Sequence, residues 1–144
     1  MAPSKKKAKK KYFTLAEANA SLPLVRAIAQ DIARLAPELR DRHERLEKLA
    51  PAEGGRLSSA AREEVEHVQE QLERDHERMN EFFAELNKLG IELKDPFTGL
   101  LDFPALREGR EVYLCWRLGE PEVGFWHELN AGFAGRQEIS KQLA

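Results

Sequence analysis

The chain has one cysteine, two tryptophans and two tyrosines, and no apolar run near the roughly 20 residues that a membrane span requires. Each scarcity excludes something. A lone Cys115 cannot close an internal disulfide, and it suits a reducing compartment. The lysine-rich start has no apolar segment behind it, so a secretory signal is not expected and a cytoplasmic location is. Without secretion the Asn19-Ala-Ser21 glycosylation pattern carries no meaning. There is no P-loop, dinucleotide fingerprint, Gly-x-Ser-x-Gly elbow or Cys-x-x-Cys pair.

What is present is charge and apolar periodicity. With 42% hydrophobic and 33% charged residues, 144 residues make a folded, highly charged chain the size of one domain. Six lysines between Lys5 and Lys11 leave a remainder of 17 basic against 25 acidic residues. That acidic body argues against a general nucleic-acid surface. Residues 1–11 read as a disordered, solubilising tail; weak contact of Lys5–Lys11 with nucleic acid or an anionic membrane is the alternative.

Thr14-Leu-Ala-Glu17 is a capping box and starts a short helix, which Ser21-Leu22-Pro23 is expected to interrupt. Beyond it, Val25, Ile28, Ile32, Leu35, Leu39, Leu46 and Leu49 step by threes and fours, with a gap at Arg42 and an expected kink at Pro37. Pro51-Ala-Glu-Gly-Gly55 breaks the pattern. It resumes after Ser58 or Ser59 with Val65, Val68, Leu72, Met79, Phe82, Leu86 and Leu89, a gap at Asp75 and a stop at Gly90. Residues 22–89 therefore predict an antiparallel, coiled-coil-like helical hairpin, with Arg42 and Asp75 placed to pair across the seam and fix its register. His43, His67 and His76 read as surface histidines.

Residues 90–129 predict a small antiparallel sheet, followed by a C-terminal segment, 130–144. Asp95-Pro-Phe-Thr-Gly99 is turn chemistry, with Asp95 capping the following amides. A two-residue loop at Glu120-Pro121 would pair Trp116 with Phe125 and Leu114 with His127. In that register His127 points inward against the helices and needs a hydrogen-bond partner. It reads as a satisfied structural histidine, and it is the only metal-ligand candidate worth testing. Tyr113, Cys115, Arg117, Trp126 and Glu128 would then share the other face. That face reads either as a small binding site or as a solvent face partly covered by the C-terminal segment. Cys115 and His127 on opposite faces would weaken a thiol–imidazole pair. Gly132-Phe-Ala-Gly135 reads as a C-terminal turn, with Arg136 folding back on an acidic surface.

The words Tyr12-Phe-Thr-Leu-Ala-Glu-Ala-Asn19, Leu22-Pro23, Leu93-Lys-Asp95, Gly99-Leu-Leu-Asp-Phe-Pro104, Leu114-Cys-Trp116, Gly119-Glu120, Trp126-His-Glu128 and Gly132-Phe-Ala-Gly-Arg136 resemble the uncharacterised bacterial domain-of-unknown-function family 2203. The resemblance spans about Tyr12 to Ile139. It implies a small cytoplasmic bacterial protein and brings no activity, cofactor or catalytic residue.

The sequence thus predicts an α+β chain. The leading functional expectation is a non-enzymatic protein-interaction module, with a protein partner or self-association through the hairpin. The alternative is a metal- or small-ligand-dependent enzyme with its site in the β part.

Overall fold

The computed structural model describes residues 10–49 and 56–139. The lysine tail through residue 9, the 51–55 break and the last residues, 140–144, lie outside the described residues. Two long helices, α1 (Leu15–Leu49) and α2 (Ser59–Leu89), precede five strands, and the architecture is α+β as expected.

Helix α1 opens on the predicted capping box. The Glu17 amide donates to Thr14 Oγ1 at 3.1 Å and the Thr14 amide donates to the Glu17 carboxylate at 2.9 Å. The expected interruption at Pro23 does not occur, and the short first helix is the start of a 35-residue one. A helix-interior proline costs about 3 kcal/mol, whereas burying a Leu or Val side chain contributes about 1.5–3 kcal/mol each. Leu22 and Val25 are both buried, so packing wins over local propensity. Pro37 is also inside α1. Helix α2 is capped by Ser58, whose Oγ accepts from the Ala61 amide, and ends at left-handed Gly90, φ 81°. The two helices bury Ile28, Ile32, Leu35 and Leu39 of α1 with Val68, Leu72, Met79 and Leu86 of α2 in one core. Arg42 pairs with buried Asp75 in the two seam gaps.

Strands β1 (Glu92–Asp95), β2 (Leu100–Arg107), β3 (Arg110–Arg117), β4 (Phe125–Glu128) and β5 (Gln137–Glu138) form an antiparallel meander in chain order. Asp95 takes its turn role, accepting from the Phe97 amide at 2.9 Å. Strand β2 runs through Pro104 because that residue's polar groups face away from β3: its carbonyl accepts from the Phe13 amide at 2.7 Å. N–H and C=O of a strand residue point to the same side, so the missing N–H costs no bond to β3. Alternation then assigns the faces. Leu101, Phe103, Ala105, Val112, Leu114, Trp116 and Trp126 join the helical core. Asp102, Pro104, Tyr113, Cys115, Phe125 and His127 face the other way.

The β3–β4 register differs by one residue from the predicted one. Val112 pairs with Glu128, Tyr113 with His127, Leu114 with Trp126 and Cys115 with Phe125. The cause lies on α1. Asn19 accepts from the Val123 amide at 2.7 Å and donates to its carbonyl at 3.3 Å, which holds Val123 in the core and off the ladder. A turn in which the Glu120 amide donates to the Arg117 carbonyl occupies the rest of the 118–124 connection. The chain therefore re-enters the sheet at Phe125 with its alternation reversed.

Candidate metal centre

The corrected register changes which residues meet. His127 lies on the side away from the helices, and Cys115 joins it there instead of opposing it. Trp126 and Glu128 pass to the helix-facing side, where Glu128 binds Arg110 at 2.8–3.1 Å. Of the five residues expected to form one patch, Tyr113, Cys115 and Arg117 share a face and the other two do not. Arg117 is exposed at its edge, over the Phe133 ring at 5.2 Å.

Asp102 completes the site, and sequence reasoning assigned it no role. Pro104 and Tyr113 pair without mutual backbone bonds, and by alternation so do Asp102 and Cys115, the geometry that brings side chains closest. His127 reaches over Cys115 from β4 to β2, about two strand spacings or 9–10 Å. The small thiol beneath leaves the imidazole room to do so. Its Nε2 stands 3.0 Å from each Asp102 carboxylate oxygen, and its Nδ1 donates to the Glu128 carbonyl at 2.7 Å. Asp102 and His127 are each 2% exposed and Cys115 is 0% exposed. One donor atom from each residue lies within 4.8 Å of the other two.

The surrounding groups are ordered by the same face. The Tyr113 ring is 5.5 Å from the His127 ring, and its hydroxyl donates to both Glu92 oxygens at 2.9–3.0 Å. Burial, then Glu92, pushes the phenol up to about 12. Burial alone would raise the Glu92 carboxyl, but hydrogen bonds from Lys94 and Tyr113 hold it below the ordinary range. The C-terminal segment covers the remainder. Its Phe133–Gly135 turn carries Arg136 onto the Phe125 ring at 3.8 Å and onto Glu120 at 2.7–2.8 Å, so the expected fold-back occurs.

Three consequences follow for the chemistry. Burial, and next the Asp102 carboxylate, pushes the Cys115 thiol up to about 12, so it stays protonated and is no thiolate nucleophile. The Glu128 carbonyl can only accept, so Nδ1 carries a proton; a second proton lies between Nε2 and Asp102. A divalent cation would replace the Nε2 and thiol protons and find one nitrogen, one sulfur and one carboxylate donor together. The Nδ1–carbonyl bond is the orienting contact that metal-binding histidines use.

The hairpin also joins His43 to His76, with Nε2 atoms 3.0 Å apart, although sequence spacing left them unrelated. Among the described residues no third donor joins them. No described helix is long and apolar enough to cross a membrane. Comparisons with curated proteins and with solved structures gave no match. The family described as "Uncharacterized conserved protein (DUF2203)" matches residues 11–139, and the chain belongs to that family.

Proposed function

We propose that the protein is a metal-binding domain that holds one borderline-soft divalent ion, zinc foremost, on Asp102, Cys115 and His127. The observation that supports this reading is the convergence of three different donor types from three neighbouring strands on a side of the sheet remote from the main core. An S, N, O donor set suits zinc or its neighbours and does not suit magnesium or calcium. Burying Asp, His and Cys together gains little fold stability compared with apolar residues of the same volume. A ligand role accounts for all three. The enclosed position makes the ion a tie between β2, β3 and β4, so its binding energy adds to fold stability.

Of the two functions expected from the sequence, this favours the metal-dependent one. The interaction reading relies on the hairpin surface or on a face shared by Tyr113 and Trp126; the hairpin's apolar seam is filled by the chain's own residues, and Trp126 lies on the opposite face of the sheet from Tyr113.

The test is elemental analysis of untagged protein dialysed without chelator. The expected result is close to one zinc-class ion per chain, lost in Asp102→Asn and His127→Gln variants that remain folded by circular dichroism. Metal-free native protein whose melting temperature does not move on adding zinc would refute the proposal.

A further inference from the structure

The helix-facing side of the sheet leaves a cleft of about 570 Å³ beside the start of α1. Phe13, Leu15, Ala105, Val112, Trp126 and Ile139 form its apolar walls. Arg107, the last residue of β2, also lines it. The guanidinium stacks on the Trp126 ring at 4.3 Å, and Nε is buried with no hydrogen-bond partner among the described residues. An unmatched buried N–H donor costs about 1–3 kcal/mol, which an anionic partner would remove. Arg110, paired with Arg107 across the β2–β3 hairpin, by contrast holds Glu128. The first turn of α1 adds a second positive feature. Its capping box uses the Thr14 and Glu17 amides, while those of Leu15 and Ala16 take no part in it and carry the positive end of a 35-residue helix. Among the described residues Glu108 is the one acid lining the cleft, and it is exposed on the following turn.

We infer that this cleft binds a small amphipathic carboxylate, with an alkyl or aryl body against Trp126 and Val112 and its carboxylate on Arg107. The volume falls in the range of small-molecule sites, and apolar walls with one fixed cation are how such sites orient an acid. The cleft and the metal centre lie on opposite faces of the sheet, so either can fail without the other.

The test uses dodecanoate and dodecanol as probes, titrated into the full chain by calorimetry and by tryptophan fluorescence. Dodecanoate should bind saturably at one site and about tenfold or more tighter than dodecanol, the equivalent of one charge-assisted hydrogen bond. Arg107→Met keeps an apolar stem on Trp126 and should abolish that preference. Equal binding of acid and alcohol by the native chain would overturn the inference without reliance on any variant. Absence of saturable dodecanoate binding, or undiminished acid preference in Arg107→Met, would overturn it too.

Discussion

His127 on β4 reaches across β3 to place Nε2 3.0 Å from both carboxylate oxygens of Asp102 on β2. Each is the other's partner in a buried setting, and neither can turn to solvent. In chelator-treated protein, Asp102→Ala and His127→Ala should each destabilise by about 3 kcal/mol, because each leaves one buried polar group unmatched. The double variant should lose clearly less than the two losses combined. Urea denaturation of the four proteins measures this; simple additivity would contradict the pairing.

The Cys115 thiol is protected by burial and by the Asp102 charge. Metal-free protein at pH 8 should react with a disulfide reagent only at its unfolding rate, and freely in urea. The alkaline stability limit of this metal-free form follows from the same group. Unfolded, the thiol ionises near 9.0 and the Tyr113 phenol near 10.0, whereas in the fold both are pushed up to about 12. Their folded values are raised, so the stability they contribute is complete below pH 9 and is lost as pH rises from there through about 12. Denaturation midpoints across that range should fall, and fall less steeply in Cys115→Ala.

Asn19 fixes the β3–β4 register from the opposite end of the sequence. Asn19→Ala leaves the Val123 amide without its partner and should cost about 1–3 kcal/mol. Hydrogen exchange at Val123 should accelerate more than at Leu114. An unchanged exchange rate there would show that the clamp does not hold the connection.

This clamp marks the boundary of what the sequence discloses. The capping box, the Gly90 stop, the Asp95 turn and the 3-4 seam are local patterns, and all are found in the structure. The Arg42–Asp75 pair was legible because two opposite charges interrupt two matched apolar rows. Pro23 misled because the burial that overrides it is tertiary. The register misled because its determinant, Asn19, is 104 residues from Val123. Asp102 was missed for the same reason: its partners come from two other strands. A charged residue inside the apolar run Leu100-Leu-Asp-Phe103 was the one available signal.

Arg42 and Asp75 specify the hairpin at some cost. Asp75→Ala alone should destabilise by about 2 kcal/mol, less than for a fully buried pair because Arg42 keeps some solvent contact. Replacing both by Met and Leu should restore or exceed native stability. Thermal melts of the three proteins decide it, and a double variant no more stable than Asp75→Ala would contradict this assignment.

The central claim is that Asp102, Cys115 and His127 bind a metal. Titrating cobalt(II) into metal-free, reduced protein reads it directly. The account predicts a thiolate-to-cobalt charge-transfer band that saturates at one equivalent, release of about two protons, from Cys115 and the Nε2–Asp102 pair, and no band in Cys115→Ser. A spectrum that does not change on adding cobalt, or a band that persists in Cys115→Ser, would contradict it.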